Sequence, residues 1–216
     1  MELESVSSLR KLKKMALYFG KVSILPEEIG AFLCRLKDLD IRDCHRIKSL
    51  PILPSSLLAL TIQSCSLLER LPDLSNLKNL SKLWVTECRK LSEIKGLGNL
   101  PSLKDLDTTG CLLMRLDGLE RLDRLHNFKR LRMDSCRSLT RLPKLPPSLE
   151  KLSLSGCEQL GEIEVVAELE SLQKLDISSC RSLMKLLNLS KLQRLELFDM
   201  RDCESITEIS GLRGTE

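Results

Sequence analysis

Aromatic side chains are scarce in this sequence: one Trp, one Tyr and four Phe stand among 216 residues. Such a chain cannot build the mixed core of a typical globular enzyme, and 50 leucines take the place of the missing residues. No apolar run approaches the roughly 18 residues of a membrane span, so no membrane partner is expected. The opening stretch, MELESVSSLRKLKK, lacks the basic, apolar and small-residue succession of a secretory leader. Neither sign of charge dominates, and a net charge of +4 is too small to argue for nucleic acid. No C-x-x-C pair occurs, and His45 and His126 stand far apart, so no metal site is expected. No G-x-x-x-x-G-K-[ST] loop is present, and Gly96-Leu97-Gly98 does not complete a dinucleotide fingerprint. With no nucleophile–base–acid set either, the expectation is a chain without catalytic residues or cofactor, and not an enzyme.

What is present is regularity. Eight of the nine cysteines, Cys44, Cys65, Cys88, Cys111, Cys136, Cys157, Cys180 and Cys203, follow one another at intervals of 21 to 25 residues, and only Cys34 is out of phase. Aligning on them exposes L-x-x-L-x-[LIVM]-x-x-C-x-x-[LI]-x-x-[LI], as in Leu36, Leu39, Ile41, Cys44 and in Leu80, Leu83, Val85, Cys88. A first copy, Leu12, Met15, Leu17, carries Gly20 in place of cysteine. The fifth is weakened by Thr108 in an apolar position and by a shortened register after Cys111. The last is best phased on Phe198, Met200 and Cys203.

A period near 23 residues with this pattern is the leucine-rich repeat. The x-L-x-L-x segment alternates as a half-buried strand, and strands of successive copies stack in parallel about 4.8 Å apart. The expected fold is an α/β-type solenoid spanning 1–216 as one domain: an arc of about nine repeats, a parallel concave sheet and short irregular or 3-10 convex returns. The prolines after Pro26 fall in the returns, never in strands. The cysteines read as a buried ladder of reduced thiols, each a small apolar residue and weak donor to a loop carbonyl. Side chains aligned in parallel are poorly aimed for disulfides, and free buried thiols fit a reducing, intracellular compartment, cytoplasmic or nuclear. Sequons at Asn79 and Asn188 carry no meaning without a leader. Neither end shows an amphipathic capping unit, so a fragment or truncated product is expected.

Two short copies, LPILPSSLLALTIQSC from Leu50 and LPKLPPSLEKLSLSGC from Leu142, share an L-P-x-L-P-x-S-L element. With cysteine at the turn and C-[RE]-S-[LI] after it, the chain resembles, from about Leu9 to Leu212, the leucine-rich region of plant intracellular immune receptors. The class is the one with TIR and NB-ARC domains. That resemblance implies a disease-resistance, effector-sensing and autoinhibitory role in defense. The implied partners are a pathogen effector, a guarded host protein or the receptor's own nucleotide-binding domain. The alternative is the substrate-recruiting arm of an F-box ubiquitin ligase, whose repeats run longer, at about 26 residues with helical returns.

A binding function would reside on the outward strand positions. The central column reads Ala16, Asp40, Thr61, Trp84, Asp107, Arg132, Ser153, Asp176, Asp199. The columns before it hold nine basic residues against four acidic ones, and those from it onward hold three against eight. A basic and an acidic edge suit orientation of a protein partner, whereas the acidic edge would repel phosphate, so no nucleic acid is expected. Trp84, Lys82, Asp107, Arg130 and Arg132 gather on neighbouring strands as the candidate docking centre, with Trp84 as anchor and Tyr18 as an outlying candidate. As an exposed residue, Trp84 should be replaceable by Ala within about 0.5 kcal/mol of stability.

Overall fold

Leucine at every second strand position forces the chain to wind. In the computed structural model, which describes residues 9–112, 119, 121–163, 168–186 and 189–209, it does so as a succession of coils along one parallel sheet. The Asn188 sequon, the register shortly after Cys111 and the stretch reaching Leu212 lie outside these residues.

The concave sheet has nine strands: β1 (Lys14–Tyr18), β2 (Asp38–Arg42), β3 (Ala59–Gln63), β4 (Lys82–Thr86), β5 (Asp105–Asp107), β6 (Arg130–Arg132), β7 (Lys151–Ser153), β9 (Lys174–Asp176) and β11 (Leu197–Asp199), hydrogen-bonded in that order. Three two-residue strands, β8 (Glu162–Ile163), β10 (Lys185–Leu186) and β12 (Glu208–Ile209), form a second parallel sheet that the periodicity does not announce. Among the described residues α-helix is confined to one turn at Ile29–Phe32, and 3-10 turns at Leu97–Asn99, Leu122–Arg124 and Leu189–Lys191 carry returns, as expected.

The register repeats without slippage. Leu39 pairs with Leu60, Leu60 with Leu83, Leu83 with Leu106, and Phe198 with Leu175, which fixes the phase of the last copy. From Leu36 to Leu175 the strand leucines are essentially without solvent contact, each contributing about 1.5–3 kcal/mol of burial. Thr108 is the one buried polar residue of the core among the described residues. Its carbonyl accepts the Cys136 thiol at 3.3 Å, and its hydroxyl lies 4.0 Å from the same sulfur, so the substitution is absorbed by the ladder.

The thiols do what their phase requires. Sγ of Cys111, Cys157, Cys180 and Cys203 donates to the carbonyl of Val85, Met133, Leu154 and Ile177 respectively, at 3.0–3.2 Å, each the second apolar residue of the x-L-x-L-x segment one coil earlier. Cys65 and Cys88 turn to carbonyls of their own coils, Gln63 and Thr86. Burial pushes the Cys111, Cys136 and Cys180 thiols up to about 12. All nine cysteines are free, and Cys34 alone is exposed.

One position earlier lies a second ladder. Asp43, Ser64, Glu87, Gly110, Ser135, Gly156, Ser179 and Asp202, each just before a cysteine, all hold positive φ of 53–72°. That left-handed residue turns the chain off the strand into the core and aims its N–H at the next coil. Asp43 donates to Gln63, Ser64 to Thr86 and Glu87 to Thr109, and the series continues to Ser179 and Arg201. The two L-P-x-L-P-x-S-L returns are clipped in a common way: Ser56 Oγ donates to the Leu36 carbonyl at 2.7 Å, and Ser148 Oγ to that of Phe128 at 2.9 Å. The serine thus ties each short coil to the one before it.

Candidate concave recognition surface

Alternation fixes which side chains face outward, and pairing fixes their neighbours. The central column is continuous: Asp40 beside Thr61, Thr61 beside Trp84, Trp84 beside Asp107, Asp107 beside Arg132, Arg132 beside Ser153. Trp84 and Arg132 therefore stand two strands apart, about 10 Å.

Trp84 lies on this face but is half-buried, not freely exposed. Lys82, two residues earlier on β4, lays its ammonium 3.2 Å from the ring centroid, a cation–π contact worth about 0.5–1 kcal/mol at such a site. The indole Nε1 is covered and has no hydrogen-bond partner among the described residues. The expectation of an exposed Trp84 is corrected to a half-buried one, its ring lying under the Lys82 ammonium.

Beside it the charged residues pair across strands. Arg130 Nε meets Asp105 at 3.0 Å, and Arg132 reaches Asp134 at 3.5 Å and Asp107 at 3.9 Å. Arg130 and Arg132 remain more than half exposed at the side chain, so each pair contributes no more than about 1 kcal/mol. The acids are further held by the turn. Asp107 Oδ1 accepts from Thr109 N–H, Asp176 Oδ1 from Ser178 N–H and Oγ, and Asp134 Oδ1 from Ser153 Oγ and Ser155 N–H. Burial still pushes the Asp134 carboxyl above its ordinary value.

Five of the six candidate residues thus come together: Lys82, Trp84, Asp107, Arg130 and Arg132. Tyr18 does not join them. It lies on β1, three strands from Trp84 or about 14 Å, and its hydroxyl donates to Asp40 at 2.8 Å. The Arg42 guanidinium sits over its ring and forks onto the same carboxylate. Burial works against the Asp40 carboxylate, but hydrogen bonds from Arg42 and Tyr18 outweigh it and hold the group below the usual range.

A groove of about 410 Å³ runs over the sheet from Trp84 to Leu197, within the size range of ligand sites. Besides Trp84, Asp107, Arg130 and Arg132 it takes in Asp105, Lys151, Lys174, Asp176 and Leu197. Lys151 and Lys174 were legible only as members of the basic edge, and Leu197, 45% exposed, carried no signal because its column is mostly charged.

No family model matches the chain. Among solved structures it is similar to the leucine-rich repeat domain of the type III effector XopL, with 21% identity and a TM-score of 0.75 over 91% of this chain and 71% of that one. It is also similar to the functional domain of InlJ from Listeria monocytogenes, which includes a cysteine ladder. There the identity is 20% and the TM-score 0.54, covering 96% of this chain and 48% of that one. The chain spans about half of that InlJ domain. The fold is the leucine-rich repeat solenoid.

Proposed function

We propose that the chain is a non-catalytic protein-recognition module that engages its partner on the concave face. The observation that carries this reading is the groove at the centre of the sheet: a half-buried Trp with an unpaired donor, bordered by exposed arginines. Trp and Arg are the residue types that most often dominate interface energetics, and neither serves a core made of leucine.

The finer setting we propose is the effector-sensing, autoinhibitory leucine-rich region of a plant intracellular disease-resistance receptor, acting inside the cell. Its partner would be a pathogen effector, a guarded host protein or the receptor's own nucleotide-binding domain. The serine-clipped L-P-x-L-P-x-S-L returns at Ser56 and Ser148 support it, as do eight free thiols aligned in one phase. The short 3-10 returns weigh against an F-box arm, whose longer repeats carry helices.

The test is capture on the immobilised chain beside a variant carrying Trp84→Ala, Arg130→Glu and Arg132→Glu. A partner held by the native surface and lost from the variant supports concave recognition; equal retention by both places docking elsewhere. The reading frame upstream of this chain decides the setting: a phosphate loop supports the receptor, and an F-box overturns it.

A further inference from the structure

The groove's two walls are not equally satisfied. Asp107 and Asp176, in the central column, each accept hydrogen bonds or ion pairs from their own sheet and turn, and Asp105, in the basic column itself, is taken by Arg130. On the opposite wall Lys151 lies between Arg130 and Lys174, like charges on directly paired strands, an arrangement that destabilises a bare sheet. Glu150, beside Lys151 in sequence, is taken by Lys129 at 2.7 Å. Among the described residues no carboxylate reaches ion-pair distance of Lys151 or Lys174. The basic wall is therefore left with charge to offer, and the acidic wall is not.

The ends of the groove are of another chemistry. Trp84 closes one and the exposed Leu197 the other. Five strand spacings separate them, about 24 Å, the span of roughly seven extended residues. A polyanion lying along this path would run beside Asp107, Asp176 and Asp199 in the central column, about 6.7 Å from the lysines along the strands, and would be repelled there. A peptide carrying one or two carboxylates between apolar ends places its charge at the lysines alone and meets much less of that repulsion.

Resting on the concave-recognition reading, we propose that this groove binds an extended acidic peptide segment. Its carboxylates sit between Lys151 and Lys174, and its apolar ends rest on Trp84 and Leu197. Trp84 is the sole tryptophan, so its emission reports occupancy of one end of the groove directly.

The experiment titrates the full chain with three blocked heptapeptides, Leu-Ser-Glu-Ser-Glu-Ser-Leu and its Gln and Lys counterparts, and with heptathymidylate. The Glu peptide should change Trp84 emission saturably and bind at least tenfold tighter than the Gln peptide. Lys151→Glu with Lys174→Glu should abolish that advantage, and Lys174→Gln alone should weaken it severalfold. Circular dichroism melting of each variant, unchanged or raised by relief of like-charge contact, shows that the fold persists. Equal binding of Glu and Gln peptides, or no saturable response to the Glu peptide, overturns the proposal. Preference for the Lys peptide also overturns it while leaving concave peptide recognition standing. Tighter binding of heptathymidylate overturns it in favour of nucleic acid. Failure of concave recognition itself is read separately, in the capture experiment.

Discussion

Raising the pH from about 8 to about 10 should destabilise the folded chain through its cysteine ladder alone. Cys111, Cys136 and Cys180 sit in the core with their thiols donating to carbonyls of the preceding coil, and burial raises each from 9.0 to about 12. Between those values the unfolded chain gives up a proton that the folded chain keeps, so stability is whole below pH 9 and falls as pH climbs toward 12. One unit above 9.0 the loss is about 1.4 kcal/mol per thiol. Cys111 and Cys136 together lose roughly 3 kcal/mol, and Cys180 adds up to about 1 more. For a chain of this size that lowers the melting midpoint by about 10 °C. The Cys88 and Cys157 thiols are pushed the same way by their surroundings, Cys88 first by its hydrogen bond with Cys65 and then by burial, Cys157 by burial, and steepen the slope. The assay is thermal melting across this range, for the native chain and for one with Cys111, Cys136 and Cys180 all changed to Ala. Lysine and tyrosine titration is common to both, so the difference in slope isolates the thiols. Native thiol labelling at pH 8 completes it: the exposed Cys34 should react at once, and the buried seven should wait for unfolding. Parallel slopes, or rapid labelling of Cys111 or Cys136, would refute the buried ladder.

Cys136→Ser should cost roughly 1–3 kcal/mol in urea denaturation, because a hydroxyl is a costlier group to bury than a thiol and the Thr108 carbonyl at 3.3 Å is set for sulfur. Trp84→Ala should lower stability by about 1–2 kcal/mol, well short of the roughly 3–5 of a fully buried aromatic; a loss above 3 in the same assay would make Trp84 core. Ser64→Gly should raise stability by up to about 1 kcal/mol, since φ of 54° strains a side chain and its Oγ has no bonded partner to lose among the described residues; a lower melting midpoint would contradict that.

The coils were legible because one leucine pattern recurs with a cysteine in fixed phase, and the outward columns followed from alternation alone. Trp84 shows where that legibility stops. Its column position was determined by Leu83 and Val85 on either side, but its half-burial depends on where the Lys82 ammonium lies, which no spacing encodes. The left-handed ladder was equally hidden: Asp43, Ser64, Glu87 and Ser135 share a conformation that glycine would advertise, yet glycine occupies it only at Gly110 and Gly156 among the positions preceding a cysteine. The second sheet of β8, β10 and β12 was missed because two residues are too few to alternate. Leu197 joined the groove through strand adjacency to Lys174, a neighbour 23 positions back in the chain.

The strand-to-strand bonds of the concave sheet, and the N–H ladder beyond them, all point along the stacking direction. A force applied between the first and last coils therefore loads them end-on, a few at a time, and does not shear them together. Each coil that peels away removes only its own leucines from the stack and leaves its neighbour's bonds as the next to carry load. Extension should proceed as a sawtooth of low, even peaks, each releasing about 75 Å of chain for a coil of 21 to 25 residues. The two serine-clipped coils, tied back by Ser56 and Ser148, would yield last within their own segments. Such a body lengthens by increments under tension, like a spring that opens one turn before the next.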